Sequence, residues 1–187
     1  THMTNTLSKN TLIAISLSIW AVSIVNWVLS YQLNHFGLYP RDLTGLTGII
    51  TTPFLHSDFA HLSNNTFAFL TLGWLVSLYD KQNVSQLLRL TVFVIILGGV
   101  LTWLFARPSY HVGLSGVIFG YWGFITINGI IERTIKSIFI SIIAILFYGS
   151  MVFGVLPSAS ISFESHIFGA MAGMLYSYFF YGKRKKK

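Results

Sequence analysis

Three short strings in this chain combine residue types that can do chemistry. Ser115 lies in Gly113-Leu114-Ser115-Gly116, and His166 is followed by Gly169 and Gly173 at spacings of three and four. His61 and Asn65 are four apart, which on a helix puts them on one face about one turn apart. A serine hydroxyl is a weak nucleophile until a base takes its proton, and imidazole is the commonest base. Asn65, His61 and the backbone N–H of Ser115 at a helix N-terminus are donors suited to an oxyanion developing on an attacked carbonyl. These types fit acyl transfer by an activated serine. No carboxylate is placed to orient His166 as in a Ser-His-Asp triad, so the pair reads as a dyad. Glu164, two residues upstream, is expected to point away from that helix face as a solvated loop residue. With no cysteine the chain has no thiol nucleophile, thiolate metal site or disulfide framework.

The elements that must position these residues are apolar helices. The chain is 53% hydrophobic and 9% charged, with mean hydropathy +0.67. Soluble domains carry about 25% charged residues. Six stretches match the roughly 17–25 residues that cross a hydrocarbon layer: 11–31, 61–79, 84–105, 114–131, 137–155 and 165–181. The expected fold is all-α, a six-helix transmembrane bundle forming one membrane domain over 11–182, with no separate soluble module. Residues 1–10 read as an expression remnant (Thr1-His2-Met3) followed by a cytoplasmic N-terminus, and 183–187 as a basic cytoplasmic tail. The first span is too long for a signal peptide and lacks a small-residue cleavage site.

Charge sets the orientation. With both termini cytoplasmic, the inside holds Lys9, Lys81, Arg89, Arg133, Lys136 and the five basic residues of the tail, and the outside only Arg41 and Arg107. The tail and the net charge of +7 read as a topology anchor beside anionic lipid rather than a nucleic-acid footprint, because no second basic patch exists. Trp27, Tyr31, Trp103 and Tyr110 fall near the outer interface, and Tyr79, Tyr178 and Tyr181 near the inner one. In this topology the even-numbered spans all start on the outer side. His61, Asn65, Ser115 and His166 therefore converge on one layer just below the outer surface, where polar groups mark function.

Glycines bring two of these spans together. Gly113, Gly116, Gly120 and Gly123 mark the fourth span, and Gly169 and Gly173 share a face of the sixth with His166. Small residues at such spacings allow close helix approach, which would set His166 within reach of Ser115. The connection 32–60 is too apolar for a free loop and too broken by Gly and Pro for a span, so an amphipathic element in the outer interface is expected.

In these motifs the chain resembles the rhomboid intramembrane serine proteases: His61-x-x-x-Asn65 preceded by His56, Gly113-x-Ser115-Gly116, and His166-x-x-Gly169-x-x-x-Gly173, in order and over essentially its whole length. The compact six-span form is similar to the basic bacterial type. The resemblance implies Ser115 and His166 as catalytic residues, Asn65, His61, Gly113 and Ser115 around the oxyanion, and Phe119, Gly116, Gly169 and Gly173 as active-site packing. Phe119 stands where many relatives carry Tyr, keeping an aromatic face for the histidine without the hydroxyl. Also implied are cleavage of transmembrane protein substrates that enter laterally near the fifth span, no metal or cofactor, and a flexible cap over the site at 156–163. The location implied is a bacterial cytoplasmic membrane, with the active site toward the outer face. His56, Ser57, Asp58 and His111 are candidates for wetting the cavity.

Two other functions fit a polytopic helical chain. A non-catalytic rhomboid-like protein that binds membrane clients would lack the serine or the histidine, and both are present. A transporter with a midplane site would place ionisable groups mid-span and show a repeat, and neither is visible.

Overall fold

The computed structural model describes residues 2–79, 84–158 and 161–181. The basic tail, Lys81 and residues 159–160 of the expected cap lie outside the described residues. Within them the chain is helical, and the one β pairing is an isolated antiparallel bridge between Leu38 and His111.

Six long helices occur among the described residues: α1 (His2–Val28), α3 (Phe59–Ser77), α4 (Val84–Phe105), α5 (Ser115–Glu132), α6 (Ile135–Tyr148) and α7 (Phe163–Tyr176). A single turn, α2 (Gly48–Thr51), lies between α1 and α3. The stretch 137–155, expected as one span, is α6 continued by a 3-10 segment, Gly149–Val155. The end of 165–181 is a π-helical turn, Ser177–Tyr181. Among the described residues, three helices are long and apolar enough to cross a membrane: Leu7–Val28, Val84–Phe105 and Ile135–Val155. The other three, α3, α5 and α7, are shorter than α1 and α4 and carry the polar and glycine positions singled out above.

Local chemistry sets the helix starts near the site. Asp58 caps α3 by accepting from the His61 N–H at 2.7 Å, and this fixes His61 in the first turn. Thr134 and Ser137 form a reciprocal capping box that starts α6 after the left-handed Arg133. Gly113, at φ +120°, turns the chain into α5 immediately before Ser115.

α5 is the centre of the bundle, packed on α7, α6, α3 and α4, while α1 lies against α3. Its buried face supplies Tyr121, Phe124 and Ile125, all fully buried. Tyr121 stacks on Phe69 of α3 at 5.7 Å and shares a 2.6 Å hydrogen bond with Thr91 of α4. Tyr79, at the end of α3, donates to the carbonyl of Ser137 at 3.2 Å and so ties α3 to the start of α6.

The connection 32–60 is not one amphipathic element. It is a string of short turns, Gln32–Phe36, Thr44–Thr47, α2 and Thr52–Phe54. Gly45 and Gly48 lie so close to the backbone of Tyr39 and Leu38 that a Cβ has no room at either position. These contacts and Pro53 fold the segment back on itself. Its apolar residues divide accordingly: Leu38 and Leu55 are buried, whereas Leu43 and Ile50 are exposed.

Candidate active site

His56, just before α3, is fully buried. Its Nε2 receives the Nδ2–H of Asn65 at 3.1 Å and the N–H of Leu114 at 3.5 Å. A backbone N–H cannot be flipped, so Nε2 is the acceptor, the proton sits on Nδ1, and the amide face of Asn65 is fixed. Burial, reinforced by the neighbouring His61, pushes the His56 imidazole from 6.5 down to about 3. It is a neutral strut between the connection, α3 and the start of α5, rather than a residue that wets the cavity.

The sign of the resulting pH effect is fixed. Between about pH 3 and 6.5 the unfolded chain binds a proton at this position that the folded chain refuses. Stability is complete above the unfolded value and falls as the pH drops toward 3, by an amount on the order of 5 kcal/mol when fully developed. Thermal melting in detergent between pH 7.5 and 4.5 is expected to show this loss. In His56→Gln, which keeps an acceptor but does not titrate, the slope should flatten.

Ser115 opens α5, and His166 lies in the first turn of α7. The His166 Nε2 is 2.8 Å from the Ser115 Oγ. The other ring nitrogen, Nδ1, is 2.7 Å from the carbonyl oxygen of Gly154. A carbonyl only accepts, so Nδ1 carries the proton, and Nε2 of the neutral ring accepts the serine hydroxyl. Phe119 stacks on the imidazole with centroids 4.2 Å apart and planes 6° from parallel. Both side chains are more than nine-tenths buried.

The approach of α7 to α5 depends on glycine. A Cβ on Gly169 would stand 3.1 Å from the Gly116 Cα, and one on Gly173 3.0 Å from the Gly120 Cα, each with the facing carbonyl nearer still. Backbone therefore lies on backbone for two turns, and this contact sets the separation of Ser115 and His166.

The structure brings His61 and Asn65 to the same layer. At Gly113 a Cβ would come within 2.8 Å of the His61 Cε1 and 3.5 Å of the Asn65 Nδ2. Gly113 also needs its positive φ, so two independent requirements select glycine there. Its N–H, however, donates to the Thr52 carbonyl at 3.0 Å. This corrects the expectation that Gly113 supplies an oxyanion donor: it makes room for donors instead. Ser115, as the first residue of α5, has an N–H with no helical acceptor.

One further expectation changes. Glu164 is buried, not solvated: its Oε1 lies 3.5 Å from the Arg107 Nε and accepts from the Arg107 N–H at 3.3 Å. Arg107 supplies the countercharge that makes this burial tolerable. His111 is buried too, its Nδ1 against the Ser162 hydroxyl and its Nε2 3.2 Å from the Arg107 carbonyl. Arg107 donates to the carbonyls of Ser158 (2.5 Å) and Ile161 and lies over the Phe163 ring. No motif flagged these ties, because their acceptors are mostly backbone.

Ser115 and His166 line a cavity of about 640 Å³ together with His61, Asn65, Phe119 and Met151. Ser57 and Asp58 lie at its exposed margin, and the His61 N–H holds the Asp58 carboxyl below its ordinary value.

Comparison with known proteins agrees with the motifs. The Rhomboid domain family matches residues 43–183. Uncharacterized proteins of Mycobacterium tuberculosis and Mycobacterium bovis are each 30% identical over 178 residues, spanning 90% of this chain and 73% of theirs. One of Mycobacterium leprae is 28% identical over 186 residues, spanning 94% of this chain and 72% of its own. Three apolar helices long enough to cross a bilayer and a family match over most of its length make this chain an integral membrane protein of the rhomboid family.

Proposed function

We propose that this protein is an intramembrane serine endopeptidase that cuts transmembrane substrates near their outer ends. The observation that carries the reading is the 2.8 Å contact between the His166 Nε2 and the Ser115 Oγ, with the proton held on Nδ1. The unit is one six-span membrane domain over 11–182, with cytoplasmic termini and a site near the outer face of a bacterial cytoplasmic membrane. The ten-to-two distribution of basic residues supports that orientation.

The substrate is a membrane-spanning segment that reaches the cavity laterally from the lipid. A helix satisfies its own backbone, so it must unwind before a carbonyl is exposed, and helix-weakening residues favour cleavage. The Ser115 Oγ attacks the scissile carbonyl carbon while its proton passes to the His166 Nε2. The Nδ2–H of Asn65, the His61 imidazole and the N–H of Ser115 hold the oxyanion. Collapse breaks the C–N bond, and His166 returns the proton to the leaving amine. Water then attacks the acyl ester, giving its proton to His166, and Ser115 leaves as the hydroxyl.

The test uses purified protein in liposomes with a quenched fluorescent transmembrane peptide. Wild type is expected to cleave, and Asn65→Ala to lower kcat by about 10²–10³-fold with little change in KM, the usual cost of one oxyanion donor. A wild type that binds the peptide without cutting it would instead support a client-binding protein.

A further inference from the structure

We propose that the backbone carbonyl of Gly154 is the positioning group for His166, doing the work a carboxylate does in a Ser-His-Asp triad. The inference rests on the reading of Ser115 and His166 as nucleophile and base.

A lone imidazole can carry its proton on either nitrogen and can rotate about its side-chain bonds. As a base toward Ser115 it must keep Nε2 free and aimed at the hydroxyl, which in triads is the task of a third group. The nearest acid in sequence, Glu164, is occupied by Arg107. The acceptor that meets Nδ1 is the Gly154 carbonyl, at 2.7 Å. When Nε2 takes the serine proton the ring becomes cationic, and the Nδ1–H···O=C bond becomes charge-assisted and stronger. The carbonyl therefore favours the charged base that forms in the transition state over the neutral one before it.

The residue type agrees with this placement. A Cβ at 154 would stand 2.8 Å from the Phe119 Cζ and 3.3 Å from the His166 Nδ1. Phe119 is itself fixed by stacking on the imidazole. The base is thus held on its face by Phe119, at one nitrogen by Ser115 and at the other by Gly154, and only a glycine lets the carbonyl come this close.

The carbonyl also comes from an informative element. Gly154 lies in the segment Gly149–Val155 that continues α6, the helix whose outward residues Ile138, Ile142, Leu146 and Phe147 are exposed and apolar. A displacement of this segment away from α5 withdraws the acceptor from Nδ1.

The decisive variant replaces Val155 by its α-hydroxy analogue, turning the 154–155 amide into an ester. Every side chain is kept, but the Gly154 carbonyl becomes a poorer acceptor. The expected result is a kcat about tenfold lower at unchanged KM, with the melting temperature within a few degrees of wild type. Nitrogen NMR of 15N-labelled histidine should show His166 protonated at Nδ1 in wild type and a mixture of tautomers in Gly154→Ala, which should lose about 10²-fold in kcat. An ester variant with full kcat, or a wild-type His166 protonated at Nε2, overturns the proposal while leaving the protease reading standing. A folded wild type that neither cleaves peptide nor reacts with a fluorophosphonate overturns both.

Discussion

Ser115→Ala is expected to abolish peptide cleavage while leaving the fold intact. Removing the serine leaves His166, Asn65 and the α5 N-terminus in place but takes away the atom that bonds to the substrate carbonyl. In soluble serine proteases such a loss is on the order of 10⁶-fold in kcat, the remaining rate coming from binding and the oxyanion donors. A fall of at least about 10⁴-fold is therefore expected here. The structural cost is one hydrogen bond to His166 beside a cavity that can admit water, about 1 kcal/mol. Initial rates on a transmembrane peptide in liposomes, with melting curves of both proteins, separate the two effects. A variant as active as wild type would place the nucleophile elsewhere.

The second large effect arises away from the reacting atoms. Gly173→Ala adds one methyl group where a Cβ would stand 2.7 Å from the Gly120 carbonyl carbon and 3.0 Å from its Cα. Those atoms are backbone in the centre of α5, so no side chain can rotate aside and the helices must part. Overpacking of this kind typically costs about 1–3 kcal/mol. Because the α5–α7 contact sets the spacing of Ser115 and His166, activity should fall with stability. A displacement of about 1 Å can cost on the order of 10²-fold in rate. Gly149→Ala is the matched control, since a Cβ there meets only the Ile145 Cγ2, at 3.8 Å. Melting temperature and kcat should both drop for Gly173→Ala and hold for Gly149→Ala.

What could be read from the sequence follows from which groups leave a trace in residue type. Ser115, His166, His61 and Asn65 are polar side chains in apolar stretches, and their spacing shows against that background. The glycines Gly116, Gly120, Gly169 and Gly173 are visible for the same reason, and their pattern suggested the helix contact found between α5 and α7. Backbone groups leave no such trace. The Gly154 carbonyl that meets His166 and the Thr52 carbonyl that occupies the Gly113 N–H depend on tertiary placement alone. The burial of Glu164 is not legible in the sequence, because its charge points to water and its neighbour in space, Arg107, is remote along the chain. The connection 32–60 reads as apolar and broken. Its form could not be read, because contacts of Gly45 and Gly48 with Tyr39 and Leu38, rather than any periodicity, shape it. Composition and hydropathy indicated membrane helices. They discriminate less well for α3, α5 and α7, whose polar and small residues suit the middle of a bundle rather than lipid.

The most direct test of the account is mass spectrometry of the protein after treatment with a fluorophosphonate. The probe reacts only with a serine made nucleophilic by a base, so it reports the Ser115–His166 relation without needing the natural substrate. The account predicts a single adduct on the peptide containing Ser115, near one per chain, and none in His166→Ala or Ser115→Ala. No adduct on folded wild type, an adduct on another serine, or full labelling in His166→Ala would contradict it.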